Sequence, residues 1–308
     1  MSTSSWTRAI RFIADEDGQT YYGQPDQPGD VGLLAHPSRT ARLTARVLSG
    51  SPLRPDSTLS SRVLTVRQLL SPLAPSEVTA IRGLGLQYPA DASRPAAAQK
   101  PPVPVLFFKP ATALAGPGDE IFLPRLADGE KNDYEVELCV VMGRDCRDVS
   151  EQDAMSYVAG FCVVNDVSSR GLCGKGVQWG VGKAFDFWCP IGPALIHPSA
   201  LKDPHALRIT THLNGKLVQE ASTADLVLRL PELIARLSHG STLQAGSLIL
   251  TGSPVAVGRK APGDVTDASP FLKHGDEVRC WVEGCGTLIN TVREDGKPSA
   301  VQKIKAKL

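Results

Sequence analysis

The stretch of sequence that decides the fold reads Asp133-Tyr134-Glu135-Val136-Glu137-Leu138-Cys139-Val140-Val141-Met142-Gly143. Polar and apolar residues alternate at its start, which predicts a β-strand. Because residues two apart on a strand point the same way, Asp133, Glu135 and Glu137 share one face. Two carboxylates about 6 Å apart repel each other by roughly 3 kcal/mol at an effective dielectric constant of about 20. Open water or a bound cation must therefore offset that repulsion.

A third carboxylate, Asp166, stands directly after the apolar run that precedes Arg170. Farther on, a glycine-spaced segment contains Gln178 and Lys183. Three carboxylates from two strands make an all-oxygen site, which suits Mg²⁺, Mn²⁺ or Ca²⁺ better than zinc. With the two cationic side chains nearby, we expect the same site to hold an anionic oxygen ligand.

Length and composition narrow the classes of protein to consider. The chain has 308 residues and a formal net charge of +1, which argues against an electrostatic role on nucleic acid or membranes. No apolar run reaches the roughly 18–20 residues of a transmembrane helix, and the first residues lack the apolar core of a signal peptide. The seven cysteines form no CxxC pair, which suits reduced thiols. We expect a cytoplasmic protein, with a mitochondrial location as the alternative.

The pattern of strands divides the chain into two regions. Residues 1–75 predict a small, strand-rich N-terminal domain, and residues 76–308 a larger domain that carries the acidic strand. Residues 89–104 are rich in proline and alanine. A loop of this length inside a compact chain is usually either a lid or disordered, and we interpret it as a lid.

A few helices are expected among the strands. Ser150, with an acid three residues later, predicts a capped helix at 151–158, and apolar residues recur at helical spacing from Asp225 to Leu237. A further short helix is expected near 40–48. Asn214-Gly215 predicts a type I′ hairpin turn. The balance of elements favours an α+β fold that is rich in strand.

Eight motifs in the same order resemble the fumarylacetoacetate hydrolase superfamily, and the resemblance covers roughly residues 80–295. They lie at Phe107–Pro110, Asp133–Leu138, Val141–Gly143, Asn165–Arg170, Gly182–Asp186, Leu213–Gly215, Ile249–Pro254 and Gly284–Thr287. The resemblance is closest to the branch of 2-hydroxyhepta-2,4-diene-1,7-dioate isomerases, acylpyruvases and oxaloacetate tautomerases. It implies a mixed β-roll in the C-terminal domain and a homodimer.

The resemblance also implies a site. A divalent cation, Mg²⁺ in the first place, would be bound by Glu135, Glu137 and Asp166, while Asp133 is expected to be a structural acid. Lys183 and Arg170 would face the substrate.

Two further positions belong to the expected substrate site. Ser253 takes the place of a threonine whose hydroxyl contacts the substrate acid, and Gln178 is expected to face the site.

The sequence departs from the family pattern at the lid. The usual turn reads Asn-Tyr-x-x-His, whereas Gln87-Tyr88-Pro89-Ala90-Asp91 places an acid where the histidine belongs. The glutamate expected three residues later is Arg94. Asp91 is therefore a candidate substitute base. Hydrolysis needs a base that activates water. Enolate chemistry needs only a cation, a group that binds the carboxylate of the substrate, and one weak base.

These observations lead to a first hypothesis and two alternatives. The first is a metal-dependent isomerase or tautomerase of small 2-oxo or 2-hydroxy-enoic acids. The second is a hydrolase or decarboxylase of acylpyruvate-like or oxaloacetate-like acids, or a biosynthetic enzyme on a bulkier dicarbonyl compound. The third is a binding subunit that keeps the metal pocket without turnover. In every case the expected partner is a small oxo acid, with no nucleic-acid or membrane partner.

Overall fold

The computed structural model describes residues 6–89, 100–176, 178–259 and 270–299, and strands predominate in them. The strands are β1 (Arg8–Ala14), β2 (Thr20–Pro25), β3 (Thr44–Leu48), β4 (Leu59–Leu70), β5 (Ile81–Gly85), β6 (Val105–Lys109), β7 (Leu114–Ala115), β8 (Glu120–Leu123), β9 (Asn132–Asp133), β10 (Val136–Met142), β11 (Val158–Asn165), β12 (Ser168–Ser169), β13 (Cys189–Ile196), β14 (Arg208–Leu213), β15 (Lys216–Ser222), β16 (Leu248–Leu250), β17 (Glu277–Val282) and β18 (Gly286–Glu294). The helices are α1 (Val31–Leu34), α2 (Glu151–Ala154), α3 (Arg170–Lys175), α4 (Gly180–Lys183) and α5 (Leu230–Ser238). The prediction of an α+β fold rich in strand is confirmed.

Most of these strands belong to one large mixed sheet. Its order is β2-β3-β4-β1-β13-β11-β10-β16-β5-β6, and β7 also pairs with β13. Within this order β16 and β5 run parallel, as do β13 and β7. A second sheet has the order β15-β14-β17-β18-β8, and β9 pairs with β12 beside them. The acidic strand β10 therefore lies between β11 and β16, inside the large sheet.

The N-terminal strands extend the large sheet. Strand β1 pairs with β2 along one edge and with β4 along the other, and its first residues Arg8 and Ala9 pair with Ile196 and Leu195 of β13. Backbone hydrogen bonds thus link residues before position 75 to the strands that follow it. The domain boundary between residues 75 and 76 stays a prediction.

Strand β10 is buried on both faces. Alternate residues such as Leu138 and Val140 pack into one apolar cluster, while Cys139 and Val141 pack into another. The strand begins at Val136 rather than at Asp133, which lies in β9. Because neither face is open to solvent, water does not offset the repulsion between the carboxylates.

The structure corrects the predicted helices in three places. Residues 44–48 form the strand β3 rather than a helix, since they pair with β2 and β4. Helix α2 is shorter than predicted and continues as the 3₁₀ turn Met155–Tyr157, although Ser150 caps it as expected. Helix α5 begins only at Leu230, with Pro231 in its first turn. None of the helices in the described residues has the length and apolar character needed to cross a membrane.

Asp30 fastens the N-terminal region to strand β18. Its carboxylate accepts hydrogen bonds from the amides of Gly32 and Leu33 in helix α1, and also from the amide and hydroxyl of Thr287 at 2.9 and 2.6 Å. We expect Asp30→Ala to lower the free energy of unfolding by about 2–4 kcal/mol, because it removes a helix cap and leaves buried donors unpaired. Urea unfolding measures this change.

Asp56 supplies the control for this prediction. It is exposed and pairs only with nearby Arg54 among the described residues, so Asp56→Ala is expected to leave the urea midpoint unchanged. An Asp30→Ala protein with the wild-type midpoint would contradict the role of this cap.

Candidate active site

Backbone pairing brings three carboxylates together. Glu135 stands just before β10, and its amide donates to the side-chain oxygen of Asn165 at the end of β11. The amide of Asp166 in turn donates to the carbonyl oxygen of Glu135 at 2.9 Å. Each of Glu135, Glu137 and Asp166 offers a carboxylate oxygen within 4.8 Å of those of the other two, and all three residues are buried.

These carboxylates fit a divalent cation. Oxygen ligands on opposite sides of a Mg²⁺ or Ca²⁺ ion lie about 4–5 Å apart, which matches the spread of the three oxygens. Asp166 Oδ1 is buried and accepts no hydrogen bond in the described structure. The Lys109 ammonium group lies 2.7 Å from this oxygen, and a carboxylate oxygen with two lone pairs can also bind an ion. Glu135, Glu137 and Asp166 are therefore the residues that could hold the predicted ion.

Lys183 lies against two members of this triad. Its Nζ atom donates to Glu135 Oε2 at 2.6 Å, to Asp166 Oδ2 at 2.5 Å and to the hydroxyl of Ser168 at 2.8 Å. The short helix α4 ends at Lys183 and directs this side chain into the interior, where it is 4% exposed. Burial alone would lower the pKa of Lys183, but the charges of Asp166 and Glu135 outweigh burial and raise it. The ammonium group therefore stays protonated at neutral pH.

Arg170 is held at the edge of the site by two acids. Its Nε donates to Asp133 Oδ2 at 2.8 Å and its Nη2 to Glu135 Oε1 at 2.6 Å. Arg259 also pairs with Asp133, so this acid orients two guanidinium groups. The side chain of Arg170 is 17% exposed and lines the cavity described below.

Glu135 and Glu137 differ in their electrostatic surroundings. Burial raises the pKa of a carboxyl group, but at Glu135 the charges of Arg170 and Lys183 outweigh burial and hold the pKa well below its usual range. At Glu137 burial, followed by the charges of Asp166 and Glu135, raises the pKa well above its usual range. A proton and a cation therefore compete for Glu137.

Cation binding is accordingly expected to strengthen as the pH rises. Below the raised pKa of Glu137 the carboxyl group is protonated, and the ion must displace that proton, so affinity should increase by up to about tenfold per pH unit. Isothermal titration of Mg²⁺ in buffers of different ionisation enthalpy measures both the affinity and the proton release. Glu137→Gln should abolish the release of the proton. An affinity that does not change with pH would contradict this prediction.

Lys109 is a site residue that the sequence reasoning missed. Its ammonium group is fully buried and donates to the carbonyl oxygens of Val167, Lys183 and Trp188 at 3.0, 2.6 and 2.9 Å. It also lies 2.7 Å from Asp166 Oδ1. Because those three hydrogen bonds use all its protons, this last contact is a charge contact rather than a hydrogen bond. The available signal was a single lysine at the end of the apolar strand Val105–Lys109.

A cavity of about 210 Å³ opens beside the carboxylates. Ser253 is half-buried and lines it together with Glu137 and Lys183, so the structure brings these predicted residues together. Gln87 and Tyr88 line the same cavity, and the sequence reasoning gave them no role. The side-chain amide nitrogen of Gln87 and the hydroxyl of Tyr88 are buried without a hydrogen-bond partner in the described structure. Both atoms are covered by protein, so a ligand could reach them only after the wall of the cavity rearranges.

Two of the predicted site residues, Gln178 and Asp91, are not found in the cavity among the residues that the structure describes. Gln178 is exposed and is not among the residues that line this cavity, so its predicted contact with substrate stays a prediction. Asp91, the candidate substitute base, and most of the predicted lid at 89–104 lie outside the described residues.

Comparisons with known proteins find one matching family model and several relatives. The family model for the C-terminal region of fumarylacetoacetate (FAA) hydrolase matches residues 80–293. A caffeoylpyruvate hydrolase of Neonothopanus nambi is 37% identical over 298 residues, which are 95% of this chain and 95% of that protein. A mitochondrial oxaloacetate tautomerase of Bos taurus is 43% identical over 213 residues, which are 68% of this chain and 65% of that protein. The solved 2-hydroxyhepta-2,4-diene-1,7-dioate isomerase of Mycobacterium marinum matches with a TM-score of 0.76 and 29% identity, over 94% of this chain and 100% of that chain.

Proposed function

The chain belongs to the fumarylacetoacetate hydrolase family, and we propose that it is a divalent-metal-dependent isomerase or tautomerase of small 2-oxo or 2-hydroxy-enoic acids. One observation carries this proposal: a buried triad of carboxylates stands beside a cavity, with the protonated Lys183 against two of its members. Relatives named oxaloacetate tautomerase and 2-hydroxyhepta-2,4-diene-1,7-dioate isomerase add support.

The cation would be held by Glu135, Glu137 and Asp166, with Mg²⁺ as our first candidate. When bound, it would polarise the carbonyl group of a 2-oxo acid and stabilise the negative charge of its enolate. The remaining chemistry falls to side chains of this chain.

Lys183 and Arg170 supply fixed positive charge. Lys183 remains protonated and donates its three protons to Glu135, Asp166 and Ser168, so in this proposal it stabilises negative charge on the substrate through its own charge and does not accept a proton from carbon. Arg170 uses Nε and Nη2 on acids, which leaves Nη1 to contact the substrate carboxylate. Both side chains are held in place before a substrate arrives, so little reorganisation is needed during the reaction.

Gln87 and Ser253 are proposed to complete the polar contacts. The unpaired amide nitrogen of Gln87 is covered in this structure, and in this proposal it turns towards a substrate oxygen, because leaving it without a partner costs free energy that a bound acid would recover. The hydroxyl of Ser253 lies in the same cavity and adds a second neutral donor. Neutral donors of this kind fix the orientation of a ligand without adding charge.

The charges around the site also suit this class of substrate. The described side chains that surround it are the acids Asp133, Glu135, Glu137 and Asp166 and the cations Lys109, Arg170, Lys183 and Arg259. When all are ionised the two groups balance, so a bound divalent cation leaves two positive charges to compensate. The enolate of a 2-oxo monocarboxylic acid carries two negative charges, one on the carboxylate and one on the enolate oxygen. Desolvated charge is tolerated only when it is balanced in this way.

Hydrolysis of acylpyruvate-like acids is the second candidate. The caffeoylpyruvate hydrolase relative, whose similarity extends over 95% of both chains, favours it. Hydrolysis requires a base that activates water, and no histidine lines the cavity in the described part of the chain. Asp91 would have to supply that base. Proton transfer at carbon also needs an acceptor, but a weak base such as a carboxylate of the site suffices for an acidic proton beside a 2-oxo group, so we rank enolate chemistry first.

An ultraviolet assay with oxaloacetate and with acetylpyruvate separates the two candidates. Each acid is followed with Mg²⁺ and with EDTA, and pyruvate is measured in parallel. Mg²⁺-dependent loss of the oxaloacetate enol absorbance without pyruvate release would support the tautomerase. Pyruvate formed from either acid would instead support a decarboxylase or hydrolase. No change with either acid would contradict both candidates for these substrates, and a thermal shift with Mg²⁺ and ligand would then test a binding role.

Assembly and location complete the proposal. We propose a homodimer, as the family resemblance implies, and light scattering of the purified protein measures this directly. A cytoplasmic location stays a prediction, because the tautomerase relative named above is mitochondrial.

A further inference from the structure

Two glycines on strand β5 make room for two aromatic rings. A Cβ atom on Gly83 would stand 2.0 Å from the ring of Phe107, and one on Gly85 would stand 2.4 Å from the ring of Trp179. The two positions lie two apart on the strand, so they share one face. The rings therefore pack directly against the bare backbone of β5, and any side chain at these positions would displace them.

The two rings form one wall of the cavity. Their centroids are 6.0 Å apart with planes inclined by 60°, an edge-to-face contact that is favourable for aromatic pairs. The ammonium group of Lys183 lies 4.4 Å from the centroid of Phe107, which joins this wall to the charged end of the cavity. A ligand that contacts Lys183 with its acidic head is therefore directed along the aromatic wall.

Leu86 continues this wall at the end of β5. Its φ angle is 57°, a left-handed conformation that is unusual for a bulky side chain and that glycine adopts freely. The side chain is nevertheless 52% exposed, and it lines the cavity. A strained residue that presents an apolar side chain to a cavity indicates a role in binding rather than in the core.

The part of the cavity lined by the two rings and Leu86 offers, among the described residues, no cationic side chain that could pair with a second carboxylate of a ligand. Among the described residues that line the cavity, the cationic side chains are Arg170 and Lys183, and both already pair with acids at the metal end. We infer that Leu86, Phe107 and Trp179 (the apolar wall) bind an uncharged planar tail, so that the site prefers 2-oxo monocarboxylic acids with an aromatic or extended apolar tail over dicarboxylic acids. This inference rests on the proposed function in so far as the head of the ligand is a 2-oxo acid.

Two ligands with the same head test the inference. 2-Oxo-4-phenylbutanoate and 2-oxoglutarate share the 2-oxo acid and two methylene groups. The first ends in a phenyl ring and the second in a carboxylate. Calorimetric titration of the Mg²⁺-loaded protein should give a Kd about tenfold or more lower for the phenyl ligand, because its ring is buried against the wall and the carboxylate loses its hydration.

Variants of Leu86 separate binding from structure. Leu86→Gly relaxes the left-handed backbone, so it should not lower the urea midpoint, and yet it should reduce the preference for the phenyl ligand about threefold or more. Leu86→Lys places a cation at the wall and should shift the preference towards 2-oxoglutarate. A merely structural Leu86 would leave the ratio of the two Kd values unchanged in both variants.

The outcomes distinguish this inference from the proposed function. Equal Kd values for the two ligands, or no binding of the phenyl ligand, would contradict the inference that the apolar wall binds an uncharged tail. This holds whatever the turnover assays show. A clear preference for the phenyl ligand in a protein that turns over neither oxaloacetate nor acetylpyruvate would support the wall and count against the proposed reaction.

Discussion

Asp166→Asn is expected to abolish Mg²⁺ binding and to lower kcat/KM by about 10³-fold, the largest effect that we predict for a single substitution. Asp166 offers one of the three carboxylate oxygens of the buried triad, and its side chain also lies against the ammonium groups of Lys109 and Lys183. An amide in its place removes one negative charge and presents an NH₂ group to the ion. The Asp166→Asn protein should therefore show neither Mg²⁺ binding by calorimetry nor turnover of substrate.

Asp119 provides a matched control for this substitution. It is a partly buried carboxylate that accepts a hydrogen bond from the amide of Gly116 in a turn and is not a member of the triad. Asp119→Asn should change the free energy of unfolding, whereas the affinity of the protein for Mg²⁺ should stay at the wild-type value. Wild-type turnover in Asp166→Asn, or thermal stabilisation of that variant by Mg²⁺, would contradict the metal site. Glu135→Ala removes a second carboxylate of the triad and is expected to abolish Mg²⁺ binding and activity as well.

Lys183→Met is expected to lower kcat by about 10²–10³-fold, and by more than it weakens Mg²⁺ binding. The substitution removes the positive charge that lies between Glu135 and Asp166 and that faces the cavity. Without Mg²⁺ it should also lower the free energy of unfolding by about 3 kcal/mol, because two buried carboxylates each lose one cationic neighbour and keep the other, Arg170 or Lys109. Mg²⁺ supplies positive charge to the same carboxylates, so the loss of stability should be smaller with Mg²⁺ than with EDTA.

Lys175 provides the matched control for Lys183. It belongs to the neighbouring helix α3, is largely exposed and pairs with Glu130. Lys175→Met should leave both kcat and the effect of Mg²⁺ on unfolding unchanged. If Lys183→Met raises only the Kd for Mg²⁺ and keeps the wild-type kcat at saturating Mg²⁺, Lys183 is a structural residue and its proposed role in turnover is wrong.

Local signals were sufficient for many of the elements. The hairpin turn at Asn214-Gly215 appears where predicted, with both residues at positive φ, because these residue types adopt that conformation at low cost. Strand β6 (Val105–Lys109) is an apolar run that ends directly before Pro110, so its end can be read from the sequence. The prediction failed at 44–48, where pairing with β2 and β4 outweighs weak local preference.

The sequence by itself determined the fold class and the resemblance that named Glu135, Glu137 and Asp166, because alternation on a strand and the order of motifs are properties of the chain. Only the tertiary structure decided what surrounds them. Lys109 reaches the carbonyl oxygen of Lys183 across 74 positions, and the aromatic wall depends on glycines in a strand remote from Trp179. Such contacts arise when distant segments pack together, and no local pattern encodes them. Burial of both faces of β10 then turns a pair of strand carboxylates into a site that requires positive charge.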